Sequence, residues 1–139
     1  VNAKDDTLES TISFIQRHAH EFSESTKIPI IVTRPDEIEE ISLNGLQRKH
    51  IFLAIKEALN NAVKHAHPSK IQIELMPVSN HQIVLCVTDD GQGFDTVNNP
   101  QAYNGNGLGN IKNRMNEIGG NADIKSSEKG TEITFTLNI

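Results

Sequence analysis

The chain has 139 residues, of which 36% are hydrophobic and 22% charged, and a formal net charge of -5 at pH 7. This length and composition are typical of one folded domain and exclude an intrinsically disordered chain. The net negative charge, without a stripe of Lys and Arg, argues against a nucleic-acid-binding surface. Cys86 is the only cysteine, which excludes an internal disulfide, and its apolar surroundings predict a small buried thiol.

The first half of the chain predicts two helices and a short strand. Apolar residues three and four apart predict an amphipathic helix over residues 7–25. Residues 27–32 form a short apolar run that contains Pro29, which favours an edge strand. A longer helical pattern covers residues 45–66 and is ended by Pro68.

The second half predicts most of a sheet. Residues 71–75 alternate between apolar and polar, as in a half-buried strand, and the continuous apolar run 83–87 predicts a central strand covered on both faces. Residues 90–106 are rich in Gly and Asn and predict a long loop, of a kind that is usually a functional lid or disordered. The remaining predicted elements are a helix over residues 108–118 and strands over residues 122–126 and 131–139. Together the elements predict an α/β two-layer sandwich, with a mixed, mostly antiparallel sheet and helices on one face.

The polar face of the long helix is the first candidate site. Glu57, Asn60, Asn61, Lys64 and His65 follow helical spacing and share this face. A solvated surface is the ordinary alternative, but adjacent Asn residues are poor helix formers in mid-helix. The amide oxygen of Asn suits Mg²⁺, which binds through few protein ligands plus substrate phosphates. We therefore interpret the face as a metal and phosphate site, in which Glu57 orients a metal-bound water and Lys64 meets phosphate.

A second candidate site follows the central strand, where ligands commonly bind in α/β sheets. Its sequence is Asp89-Asp90-Gly91-Gln92-Gly93. A carboxylate at this place can accept a hydrogen bond from an amino group such as that of adenine, and glycines allow close approach of the backbone. An ordinary Asp-Gly turn stays open as the alternative.

A third candidate site, Gly105-Asn106-Gly107-Leu108-Gly109, opens a predicted helix. Glycine-rich backbone that leads into a helix N-terminus is suited to bind phosphate, because free N–H groups and the positive end of the helix dipole face the anion. The alternative is a flexible loop with a helix cap. No Gly-Lys-Ser/Thr occurs, and neither glycine cluster completes G-x-G-x-x-G, so two other phosphate loops are excluded.

In this order and spacing, the three motifs resemble the Bergerat-type ATP-binding fold shared by histidine kinases, Hsp90-like chaperones, MutL-type repair proteins and type II topoisomerases. They match the N, G1 and G2 boxes of that fold. The resemblance covers about residue 46 to the C-terminus. The finer pattern resembles the catalytic domain of sensor histidine kinases of the NarX/DesK/LiaS branch, and it consists of residues 57–66, residues 107–111 with Arg114, Gly119-Gly120 and Gly130-Thr131.

The resemblance implies a role for each matched residue. Asn61 would coordinate Mg²⁺ with Glu57 beside it, and Asp89 would accept a hydrogen bond from the adenine amino group. Thr131 would support the adenine pocket through water, and residues 95–106 would form a short ATP lid. The other implied nucleotide-binding residues are Lys64, His65, Gly91, Gly93, Gly105, Gly107, Leu108, Gly109 and Arg114.

The implied function is that of the ATP-binding catalytic domain of a two-component sensor histidine kinase. It would present the γ-phosphate of Mg-ATP to an acceptor histidine on a helical hairpin domain, with a response regulator as an indirect partner. The residues before Gly45 are too few for that hairpin, so we expect it upstream in the same protein. Residues 1–25 are then the end of a hairpin helix or a linker helix, and residues 26–139 the catalytic domain. We interpret His20-Glu21 as an ordinary polar pair.

The resemblance also implies an assembly and a location. We expect the isolated domain to be a monomer, the full-length protein a homodimer, and no nucleic-acid partner. A cytoplasmic protein, or the cytoplasmic part of a membrane-anchored sensor, fits the single cysteine and the absence of an apolar run of about 20 residues. Two alternatives stay open: a serine kinase of the anti-sigma-factor type, and a non-catalytic ATP-sensing module. The Gly119-Gly120 to Gly130-Thr131 ending favours the sensor kinase.

Overall fold

A computed structural model describes residues 7–92 and 106–139 of the chain. Its helices are α1 (Leu8–Thr26), α2 (Gly45–Asn61) and α3 (Asn106–Glu117), and a π-helical segment (Ala62–Ala66) continues α2. Its strands are β1 (Ile30–Thr33), β2 (Ile71–Leu75), β3 (Gln82–Asp89), β4 (Asn121–Ser127) and β5 (Gly130–Asn138).

The strands form one sheet in the order β1-β2-β3-β5-β4. Strand β1 pairs parallel with β2, and all other neighbours are antiparallel. The apolar side chains of one sheet face join those of the helices in a single core, to which β3 contributes Ile83, Leu85 and Val87. The predicted two-layer sandwich with a mixed, mostly antiparallel sheet is confirmed.

Helix α1 contributes to the same core as the sheet. Its first turn is closed by a capping box between Thr7 and Ser10. The apolar stripe of the helix is buried, and it consists of Leu8, Ile12, Ile15 and Ala19. The division of the chain predicted after residue 25 stays a prediction, while α1 and the rest of the described chain share one core.

The last turn of the long helix differs from the predicted α-helix. After Asn61 the backbone widens into the π-helical segment, and His67 then ends it in the left-handed conformation, with φ of 49°. Such π turns are found mostly as single turns within α-helices and frequently at functional sites. The apolar spacing that predicts a continuous helix over residues 45–66 does not distinguish a wide final turn from a regular one.

The prediction that the central strand is covered on both faces is wrong. Ile83, Leu85 and Val87 are buried, but Val84 and Cys86 on the other face are only half-buried. The predicted buried thiol is therefore also wrong, and the Cys86 sulfur lies 3.8 Å from the hydroxyl of Thr134 on the neighbouring strand. In the described chain the helices cover one face only, so the apolar residues of the other face pack against cross-strand neighbours.

None of the helices in residues 7–92 and 106–139 combines the length and apolar character that a membrane span requires.

Candidate functional site

Asp89 ends β3 and lies opposite Thr131 at the start of β5. Its carboxylate is half-buried and accepts hydrogen bonds from the backbone N–H of Gly91, at 3.0 Å, and of Thr131. Burial raises the pKa of Asp89, and these two hydrogen bonds oppose that effect only in part. Burial therefore leaves the ionised carboxylate less favourable than in water, and a further hydrogen-bond donor would stabilise it.

The loop after Asp89 is attached to the end of the π-helical segment. The N–H of Gln92 donates to the carbonyl oxygen of Ala66 at 2.7 Å. Gly91 is buried against the same carbonyl, so closely that a Cβ at position 91 would overlap it. A glycine is required here by lack of space, since any side chain would push the loop away from the helix layer.

The end of α2 carries the predicted metal ligand, Asn61, and Glu57, which is predicted to orient a metal-bound water. Glu57 and Asn61 are both half-buried. The Nδ2 atom of Asn61 is buried and has no hydrogen-bond partner among the residues that the structure describes. Buried amides are nearly always hydrogen-bonded in proteins, so this side chain is available to a ligand. Because the oxygen and nitrogen of an amide exchange places by a simple flip, Asn61 fits a metal ion through its oxygen.

Lys64 and His65 lie in the π-helical segment, where successive residues no longer follow the α-helical spacing. The side chain of Lys64 is exposed. The side chain of His65 lies outside the described part of the chain. Their predicted phosphate contacts remain predictions.

The third motif supplies the first turn of α3, which begins at Asn106 and includes Gly107, Leu108 and Gly109. Leu108 is buried in the core, and α3 packs against α2. This packing places a helix N-terminus in the same layer as Asn61. Gly93, Gly105 and, apart from Asn106, the predicted lid over residues 95–106 lie outside the described residues.

Arg114 lies in the last turn of α3, and its Nε atom is buried without a hydrogen-bond partner in the described chain. Seven residues separate it from Gly107, a rise of roughly 10 Å along a helix. An extended side chain is therefore required for Arg114 to meet a phosphate at the helix N-terminus.

The start of β5 closes the other side of Asp89. The side chain of Thr131 is only 7% exposed, and its hydroxyl lies 3.0 Å from that of Ser126 on β4. Gly130 has φ of 135°, and a Cβ there would overlap the carbonyl oxygen of Asp89. A cavity of about 250 Å³ opens beside these residues, lined by Thr88, Asp89, Lys125, Ser126, Ser127, Lys129, Gly130, Thr131 and Glu132.

Two contacts at this end of the sheet are not apparent in the sequence motifs. Ser126 meets Thr131 only through the β4–β5 register, and Asp90 binds residues 69 and 70, about 20 positions earlier. The register follows once the tight turn before Gly130 is recognised, but no local pattern indicates the partner of Asp90.

The matching family model is that of the histidine kinase-, DNA gyrase B- and HSP90-like ATPases, and it covers residues 46–139. The chain belongs to this ATPase family. Membership implies that the domain binds ATP, in agreement with the three motifs.

The relatives of this ATPase domain confirm the predicted branch. It is 35% identical over 106 residues to the sensor histidine kinase LiaS of Bacillus subtilis, covering 74% of this chain and 28% of LiaS. It is 38% identical over 99 residues to the sensor histidine kinase ComP of the same organism, covering 70% of this chain and 13% of ComP. The domain thus spans less than a third of the length of either relative.

Solved structures with little sequence identity share the fold. The histidine kinase domain of the Erythrobacter litoralis EL346 blue-light activated histidine kinase has a TM-score of 0.74 at 18% identity, covering 91% of this chain and 60% of that chain. The Acinetobacter baumannii histidine kinase AdeS has a TM-score of 0.72 at 14% identity, covering 95% and 64%. These likenesses confirm the predicted fold.

Substituting Gly91 tests the contact between the loop and the π-helical segment. We expect Gly91→Ala to lower the free energy of unfolding by about 1–3 kcal/mol, because the new methyl group overlaps the Ala66 carbonyl. Urea denaturation measures this change. Gly45→Ala is the matched control, since the nearest atom to its added Cβ is 3.9 Å away, and it should leave stability unchanged or raise it by up to about 1 kcal/mol. Equal effects of the two substitutions would contradict the contact.

Proposed function

We propose that this chain is the ATP-binding catalytic domain of a two-component sensor histidine kinase. It holds Mg-ATP and presents the γ-phosphate to an acceptor histidine on a separate helical hairpin domain. The observation that carries the proposal is the arrangement at the end of β3. There the half-buried Asp89 precedes a loop that is attached to the π-helical segment after Asn61.

The base end of the proposed site is at Asp89. A hydrogen bond from the adenine amino group to its carboxylate would provide the additional donor that burial makes favourable. Gly91 keeps the loop against the helix layer, and Thr131 holds the carboxylate from the strand side through its backbone N–H. This end therefore selects an amino-bearing base by hydrogen bonding and shape.

The metal end is at Asn61. Its amide oxygen would bind Mg²⁺, and Glu57, one turn earlier, would hold a metal-bound water. Held by these residues, Mg²⁺ would supply positive charge that stabilises the phosphates. Lys64 is exposed and would reach the phosphates from the π-helical segment.

The phosphate end is the start of α3. Without side chains, Gly107 and Gly109 would allow a phosphate to approach the N–H groups of the first turn, while the buried Leu108 anchors that turn in the core. In this proposal Gly93, Gly105, His65 and Arg114 assist in nucleotide binding.

The domain contributes positioning and charge stabilisation, because the nucleophile belongs to another domain. The acceptor histidine nitrogen attacks the γ-phosphorus, and the bond between this phosphorus and the bridging oxygen of ADP breaks. An isolated domain should therefore bind ATP and transfer little phosphate.

The remaining partners follow because the ATP site and the nucleophile belong to separate domains. The hairpin domain is proposed to lie in the same protein, which forms a homodimer, and the response regulator takes the phosphate from the hairpin. Relatives such as LiaS are several times longer than the stretch they share with this chain. Helix α1, whose apolar stripe is buried in the core, would connect the hairpin to the ATPase domain without a free joint.

A reconstituted transfer assay tests the proposal. The domain is mixed with a separately produced histidine hairpin, Mg²⁺ and γ-labelled ATP, and with the hairpin in which the acceptor histidine is replaced by Gln as the control. We expect acid-labile label on the hairpin alone, with none on the control. Acid-stable phosphoserine on a protein substrate would instead indicate a serine kinase. Binding of ATP without any transfer would indicate a sensing module.

Asp89→Asn tests the base end. We expect it to lower the affinity for ATP by about 10- to 150-fold, since a hydrogen bond to a charged group is worth roughly 1.5–3 kcal/mol. Calorimetric titration measures the affinity. Asp123→Asn makes the same charge change at an exposed position of β4 and should leave the affinity unaltered. Unchanged ATP affinity in Asp89→Asn would exclude the adenine contact.

Stability measurements on Asp89→Asn distinguish a loss of ATP affinity from a loss of folding. The raised pKa of Asp89 contributes stability that is fully present below the pKa of the unfolded chain and is lost as the pH rises through the folded pKa. A neutral Asn undergoes no such loss. Asp89→Asn should therefore unfold at the same urea concentration as wild type or at a higher one.

Asn61→Ala tests the metal end. We expect the affinity for Mg-ATP to fall by at least about 10-fold, because even outer-shell partners of a metal typically contribute 10- to 100-fold. Binding of ADP in EDTA should change by less than about 3-fold, which corresponds to under 1 kcal/mol. Asn113→Ala makes the same change at an exposed position of α3 and is the control, which should bind both ligands like wild type. Equal losses of both ligands in Asn61→Ala would remove the metal role.

A further inference from the structure

We propose that Asp90 is a positioning residue that sets the distance between the base end of the site, at Asp89, and the metal end, at Asn61. The inference rests on the proposed function. Asp90 occupies the variable second position of the Asp-x-Gly-x-Gly motif, to which the motif itself assigns no contact.

The carboxylate of Asp90 binds the short connection between the π-helical segment and β2. Its Oδ1 atom accepts hydrogen bonds from the backbone N–H of Ser69 at 2.8 Å and of Lys70 at 3.1 Å, and its Oδ2 atom accepts one from the Ser69 hydroxyl. The Ser69 hydroxyl, with the Lys70 N–H, holds the pKa of Asp90 below its usual range, so the carboxylate is ionised at neutral pH.

Asp90 is the first of three consecutive residues that contact residues 66–70. Gly91 and Gln92 follow it, packing against Ala66 and donating to its carbonyl. The turn between Ala66 and Ser69 contains His67, in the left-handed conformation, and the buried Pro68. The β3 loop is therefore held at both ends of residues 66–70, and Asp90 supplies the hydrogen bonds at the β2 end.

This attachment lies between the two ends of the proposed site. Asp89 is the residue before Asp90, and the π-helical segment joins Asn61 directly to Ala66. A shift of the loop relative to residues 66–70 would therefore change the separation of Asp89 and Asn61 without removing either side chain. The carboxylate of Asp90 contacts N–H and O–H donors rather than a cation of the described chain, so acceptor geometry matters more than charge.

Binding of two ligands by Asp90→Ala and Asp90→Asn tests the role. Mg-ATP needs both ends of the site, whereas ADP in EDTA does not use the metal end. We expect Asp90→Ala to weaken Mg-ATP binding by about 10-fold and ADP binding by less than about 3-fold, because only Mg-ATP depends on the spacing of the two ends. A tenfold loss of affinity corresponds to about 1.4 kcal/mol of binding free energy. Asp90→Asn keeps an oxygen acceptor for the two backbone N–H groups and should bind Mg-ATP within about 3-fold of wild type.

Each result decides a separate point. Titrations are made at a temperature where thermal unfolding shows every variant to be folded, so that a merely structural role changes neither affinity. Unchanged Mg-ATP affinity in Asp90→Ala, or equal losses of affinity for Mg-ATP and ADP, would overturn the positioning role. The proposed function would still stand in that case, provided that the wild type binds Mg-ATP. Failure of the wild type to bind Mg-ATP would overturn both. If Asp90→Ala does not fold, Ser69→Ala removes one of the three donors, and a selective loss of Mg-ATP binding is again expected.

Discussion

The candidate site depends on the attachment of the β3 loop to the end of the long helix. A sheet and a helix layer that share only an apolar core can slide relative to each other by small amounts, because dispersion and burial are not directional. The hydrogen bond from Gln92 to the Ala66 carbonyl, with Gly91 packed beside it, removes that freedom at one point. Asp89 on the sheet and Asn61 on the helix are both within a few residues of this point.

Directional contacts at this place also explain why Asp89 tolerates a partly buried charge. Burial disfavours the ionised carboxylate, and the backbone N–H groups of Gly91 and Thr131 compensate in part. Proteins often keep such unfavourable groups where a ligand completes them, because the energy then appears as binding affinity. The next residue, Asp90, is well satisfied: its carboxylate accepts three hydrogen bonds, from Ser69 and Lys70. The two adjacent carboxylates therefore differ in their proposed roles: Asp89 binds the ligand, and Asp90 positions the loop.

The helices and strands of this domain were predictable because their apolar periodicity is strong, and the described bounds differ from the predicted ones by only a few residues. The glycines also predicted places where backbone segments approach closely, since Gly91 and Gly130 each contact a carbonyl that leaves no room for a Cβ. Local pattern could not predict features that depend on distant partners. These features are the π turn, the uncovered face of β3 beside Cys86, and the hydrogen bonds between Asp90 and Ser69. They depend on how the sheet and the helices pack against each other.

The π-helical segment makes the number of residues between Asn61 and Ala66 critical. A π turn differs from an α turn by one additional residue, so deletion of a single residue from Ala62–Ala66 would restore an ordinary helix. Because the wide turn takes up that additional residue, the chain beyond would keep nearly its present place after this one deletion. Any other insertion or deletion would move the chain beyond by about 1.5 Å and rotate it by about 100° around the helix axis for each residue. The Ala66 carbonyl would turn away from Gln92 although every motif residue is still present. Such insertions and deletions in this stretch therefore disturb the site more than most substitutions there.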